Sequence, residues 1–250
     1  MKTITKYETE DGKLFDKEQE AKEHETELNR PKEQAKSVTF NFKILKEYSN
    51  GATFEEALAL SEKEGKPLLT NLQADEILQN EELHKANSKL FPCWTGIITV
   101  YENAGTPFGE YVKDQQSGWV FDVPKKYQGK KDIVLVLQQK DYKLKKEKYG
   151  IIHLTATKVE SLSFPTENGW YLPDPKFGIP TGDKVNEDNP NVQFLWRVTD
   201  GDPIRPLARD GDWDWDHWRA VLANWVPANR LGVGLAEPQA KQGKKKINTR

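Results

Sequence analysis

The chain is expected to fold as an α+β protein, with a mixed or antiparallel sheet and N-terminal helices, followed by a smaller, mostly β unit. Three observations predict this. Residues 97–101, 119–123 and 133–137 are β-branched or aromatic runs bounded by Gly, Pro or Asn, and they read as three strands of one sheet. Upstream of them, Thr53-Phe54-Glu55-Glu56 is a capping box that starts a helix, and a second helical stretch follows from Leu72. Beyond residue 163 the chain turns to closely spaced prolines and glycines with short apolar runs between them.

Taken in order, residues 2–9 alternate in strand fashion, Asp11-Gly12 is a tight-turn signal, and Lys13-Leu14-Phe15 returns as a second strand. Asp16 has an N-cap position, with Gln19 three residues on. A charged helix is expected from there to Asn29, before Pro31. Residues 1–36 are thus read as a ββα unit with its linker.

Residues 37–163 are read as the central α+β domain. Val38, Phe40, Phe42 and Ile44 alternate as a strand, and the capped helix from Thr53 closes at Gly65 and Pro67. The next helical stretch carries Ile77, Leu78, Leu83 and Ala86, with a restart at Asn80. Residues 133–137 are apolar at five successive positions, which marks a central strand covered on both faces. Asp122 makes the Trp119 run half exposed, residues 140–148 form a solvated lysine-rich hairpin, and residues 151–159 alternate as a strand.

Residues 164–240 are read as the mostly β unit. It begins with a loop or boundary over 164–191, and strands are expected at 192–198 and 204–208. Residues 219–222 and 231–235 are expected as a closing pair. The basic residues 241–250 are expected to be a disordered tail.

Composition narrows the function classes. A single cysteine, Cys93, leaves no internal disulfide and no cysteine pair for a zinc cage. The mean hydropathy is −0.80, and no run approaches the roughly 20 apolar residues of a membrane span. Met1 opens onto no apolar signal run, so a cytoplasmic location is expected. With 37 basic against 39 acidic residues the formal charge is −2, which makes no global case for nucleic-acid binding.

The opening residues carry one resemblance. Tyr7, Asp11-Gly12, Phe15, Glu20-Ala21 and His24-Glu25 resemble the start of many small accessory proteins of bacteriophages and other mobile elements. The resemblance covers about a tenth of the chain and implies neither an activity, nor a fold for the remainder, nor a functional residue.

The most unusual segment is residues 209–219. In an extended chain Asp210, Asp212, Asp214 and Asp216 project on one side and Trp213 and Trp215 on the other, with His217 and Trp218 following. Three readings stay open. The segment is a turn with solvated aspartates anchored by its tryptophans, a partner-binding surface, or a divalent-metal site. Its spacing lacks the later Gly and terminal Glu ligand of a calcium loop. Trp94, Trp119 and Trp196 lie in strand-like runs and are expected in the core.

His24, His84, His153 and His217 are scattered, and the chain contains no G-x-S-x-G, no H-E-x-x-H and no phosphate-binding glycine loop. The leading expectation is a non-catalytic, protein-binding accessory protein of a phage or mobile element. It is read as an anti-CRISPR-like inhibitor of a host complex, contacting a host or defence-complex protein through Asp210, Asp212, Trp213, Asp214, Trp215, Asp216 and Trp218. No cofactor or metal is expected on this reading. One alternative is a metal-dependent hydrolase using the Asp/His cluster. Another is a nucleic-acid-binding module, with Lys125-Lys126, Lys130-Lys131 and the 140–148 lysines interleaved by Tyr127, Tyr142 and Tyr149.

Overall fold

The computed structural model describes residues 7–8, 14–15, 17, 40–102, 106–165, 167, 169–186, 193–195, 203–211, 220–222 and 227–237. The chain divides into two units, Met1–Ser37 and Val38–Arg250. In the first, β1 (Tyr7–Glu8) and β2 (Leu14–Phe15) pair antiparallel with Tyr7 opposite Phe15, the pairing that the Asp11-Gly12 signal predicts. The expected helix from Asp16 to Asn29, apart from Lys17, and the linker and basic tail lie outside the described residues.

The second unit is mixed α+β. After β3 (Asn41–Lys46), α1 (Phe54–Glu64) starts on the capping box: Thr53 accepts from the Glu56 amide, and Glu56 accepts from that of Thr53. The helix ends at Gly65, whose left-handed backbone suits glycine. A second capping box, Thr70 with Gln73, starts α2 (Asn71–Gln79). Asn80 then caps α3 (Glu81–Asn87) through the Leu83 amide, at the restart read from the sequence.

A ten-stranded sheet takes β4 (Cys93–Tyr101) and β7 (Ile133–Gln138) as its inner strands, antiparallel with Ile98 opposite Leu137. β10 (Glu160–Ser163) flanks β7 on its other side, so β7 is a covered central strand as its apolar run predicts. On the far side of β4 lies β14 (Ile204–Gly211). The sheet continues through β15 (Ala220–Leu222), β13 (Gln193–Leu195), β11 (Gly169–Pro173) and β12 (Pro180–Lys184). β16 (Gly232–Glu237) joins β3 to β4. A separate sheet of four strands runs β5 (Tyr111–Lys113), β6 (Trp119–Asp122), β9 (Ile152–Ala156) and β8 (Tyr142–Lys146).

Several expectations change. The Trp119 run is not a third strand beside β4 and β7 but belongs to the four-stranded sheet, where Trp119 and Phe121 turn inward and Asp122 outward. The strands expected as a smaller β unit are continuous with the central sheet through the β14–β4 pairing. β15 and β16 do not pair with each other: β15 pairs with β13 and β14, and β16 with β3 and β4. The stretch read as a loop holds the β11–β12 hairpin, whose polar residues Thr181, Gly182, Asp183 and Lys184 give no apolar alternation to read.

Strand alternation sorts the core into two sides of the large sheet. Ile98, Val100, Leu135, Leu137, Ile204 and Ala208 meet Trp119, Phe121, Leu154 and Tyr142 of the small sheet, together with Phe54 and Ala57 of α1. Phe54 stands edge-on to Trp94, ring centroids 5.3 Å apart. On the opposite face, Ile97, Tyr101, Val134, Val136 and Leu207 pack with Tyr171, Phe177 and Ile179. There α2 is held by a buried polar node: Arg209 of β14 donates through Nη2 to Asp75 and to the Gly178 carbonyl.

Candidate functional site

The small sheet ends on an open strand. Among the described residues β8 pairs only with β9, and its register alternates two kinds of position. Thr157 donates to the Asp141 carbonyl and Glu147 donates to that of Ile151, so Lys143 and Lys145 point their backbone groups at β9. The N–H and C=O groups of Tyr142, Leu144 and Lys146 therefore point away from β9, toward the free edge. Among the described residues no strand pairs with that edge.

Beside this edge runs α1. Glu55, Leu58, Ala59 and Glu62, at spacings of three and four, form one helical stripe. With Tyr142, Lys143, Leu144, Lys146 and Ile152 they line a groove of about 470 Å³. Its two ends are tied. At one, Lys146 Nζ lies 2.6 Å from Glu55 Oε2, which raises the pKa of the ammonium. At the other, the Leu68 amide donates to Gln139 Oε1 and Gln139 Nε2 donates to Ser61 Oγ, 2.8 and 2.7 Å away. Five residues of strand give about 13 Å at ~3.3 Å per residue step, room for about four residues of added chain.

Tyr142, one of the lining residues, carries a buried polar group. It is 7% exposed, and its enclosed hydroxyl has no hydrogen-bond partner among the described residues. Burial pushes its pKa far up, so the group stays a neutral donor.

The two faces of β8 differ. Tyr142 and Leu144 face the core, opposite Ala156 and Leu154, whereas Lys143 and Lys145 face outward, opposite Thr155 and His153. Lys145 lies 3.3 Å from Glu147, and Lys143 has no carboxylate within 4.0 Å among the described residues. Lysines on an edge strand are an ordinary device against indiscriminate pairing, which is the structural reading of this run.

The sequence-derived candidates are distributed differently. Asp210 sits in β14 opposite Val221, while Asp212, Trp213, Asp214, Trp215, Asp216, His217 and Trp218 lie outside the described residues. Trp94 and Trp119 are core residues, as expected, and Trp196 lies outside the described residues. Among the described residues no group of three His, Cys, Asp or Glu side chains is arranged to hold a metal. Of the three tyrosines read with the lysines, Tyr127 is buried and donates to the Val159 carbonyl, and Tyr142 is buried as described. Only Tyr149 is exposed, at 98%, in the turn between β8 and β9. Lys126 and Lys130 both lie over the Tyr127 ring, at 4.6 and 5.6 Å from its centroid.

Sequence reasoning missed the groove, because its helical wall and its strand wall come from separate parts of the chain. The only trace was the lysine run with Leu144 alternating inside it. Fold and groove together define a mixed α+β protein with a groove between an edge strand and a helix. Comparison with protein-family profiles, curated proteins and solved structures finds no match. Among the described residues no helix is long and apolar enough to cross a membrane.

Proposed function

We propose that this protein acts without catalysis, binding a partner protein by taking an extended segment of it as an added strand along β8. The observation that supports this is the outward-facing backbone of Tyr142, Leu144 and Lys146, on a strand whose side chains line a groove with Leu58 and Ala59 of α1 between Glu55 and Glu62. Strand addition draws affinity from main-chain hydrogen bonds and specificity from side-chain pockets, and this edge offers both. The Lys146–Glu55 pair that crosses one end is solvent-exposed and costs little to open.

The partner proposed from the sequence is a host or defence-complex protein, on the ground that the chain carries no catalytic motif and has an acidic, aromatic segment at residues 210–218. Residues 210–218 remain a second proposed contact for that partner. A nucleic-acid surface is the weaker reading, since two of the three tyrosines available for base stacking are core residues.

Amide hydrogen exchange tests the mode directly. Adding extended peptides of about seven residues from an arrayed library should slow exchange at Tyr142, Leu144 and Lys146, and leave Lys143 and Lys145, already bonded to β9, almost unchanged. Lys146→Pro, which removes one outward donor from an exposed position, should abolish the effect. If no peptide in the library produces the alternating pattern, strand addition at β8 is wrong.

A further inference from the structure

The two faces of β8 specify more than an open edge. Resting on the strand-addition reading, we infer that the segment accepted by β8 alternates small apolar residues with carboxylates. Residues directly opposite one another on neighbouring strands project to the same face. Those opposite Tyr142, Leu144 and Lys146 therefore enter the groove against Leu58 and Ala59. Their size is limited, because about 470 Å³ is shared along the whole edge.

Residues opposite Lys143 and Lys145 stay outside, on a face where β9 contributes only His153 and Thr155 beside the two lysines. Residues 140–148 carry five lysines against Asp141 and Glu147, in a chain whose overall formal charge is −2. The positive charge is thus local to this edge. Glu147 engages Lys145 at 3.3 Å and stands 4.0 Å from His153, which leaves Lys143 as the stronger site for a carboxylate.

The test uses the full chain and two synthetic peptides with the same small apolar residues at alternate positions, one with Glu and the other with Lys between them. The Glu peptide should bind about tenfold more tightly, the sum of two cross-strand charge pairs, and the preference should shrink as salt is raised. Lys143→Glu with Lys145→Glu should reverse the order. The Gln pair at the same positions should abolish the preference while leaving the alternating amide protection in place. Denaturant midpoints confirm that each variant is folded.

Equal binding of both peptides with alternating protection would overturn the charge inference and leave strand addition standing. Protection by neither peptide would overturn both. A single-stranded oligonucleotide that displaces the Glu peptide, with shifts at Lys143 and Lys145 but no alternating amide protection of its own, would overturn the inference in favour of a phosphate-binding surface.

Discussion

Arg209 Nε stands 2.9 Å from Asp75 Oδ1, across 134 positions of chain, with the arginine side chain entirely enclosed. The pair ties α2 to β14, and Gly178 closes over it. A Cβ at that glycine would meet Asp75 and Arg209 at 3.2 and 3.3 Å, and its φ of +63° lies in the left-handed region.

Breaking this pair from one side is expected to be costly. Asp75→Asn leaves the Arg209 charge enclosed without its counter-ion, a loss of about 3–5 kcal/mol. Arg209→Met combined with Asp75→Leu should recover much of that, because the isolated charge disappears with its partner. Urea midpoints of the single and double variants check it. A single-variant loss below about 1 kcal/mol would mean that water reaches the pair.

Tyr142→Phe separates stability from binding. Among the described residues the hydroxyl has no partner to lose, so its removal should leave stability unchanged or raise it by up to about 1 kcal/mol. Affinity for a groove peptide should stay unchanged, because the hydroxyl is enclosed and does not open into the groove. Thermal unfolding and peptide titration of one preparation read both. A clear loss of stability would show the hydroxyl already bonded in the free protein.

Glu160 provides a pH dependence whose sign is set. Hydrogen bonds from Lys158 and Lys176 hold its carboxyl below the ordinary value of 4.5. The unfolded chain therefore binds a proton at higher pH than the native one. The stabilisation is complete above 4.5, declines as pH falls from there through the lowered native value, and is absent below it. Glu160→Gln should flatten that part of the stability profile, and salt should weaken the wild-type slope because the pair partners are exposed. An unchanged acid slope in the variant would assign it to other carboxylates.

Much of the local structure was legible from sequence because it is decided locally. Thr53 starts a helix through bonds to the residue three positions on, Gly65 ends it through its own backbone, and Asn80 restarts another, whereas the like box of Thr70 and Gln73 puts the start of the second helix at Asn71 and not at the expected Leu72. The apolar run of residues 133–137 marked a doubly covered strand, since alternation is lost when both faces are buried.

Pairing between distant strands was decided only by the tertiary structure. Nothing in the Trp119 run says that its partner is β9 and not β4, and nothing in β14 says that it lies beside β4, because strand neighbours are chosen by packing of whole faces. The groove has the same origin. α1 shows two stripes, one buried through Phe54, Ala57 and Ser61 and one through Glu55, Leu58, Ala59 and Glu62. Only the placement of β8 beside the second makes it a wall. The sequence by itself determined the capped helices, the covered central strand and the lysines of β8. The tertiary structure decided that those lysines ride on a strand edge that no other strand pairs among the described residues, because hydrogen bonding to β9 uses only one side of the β8 backbone.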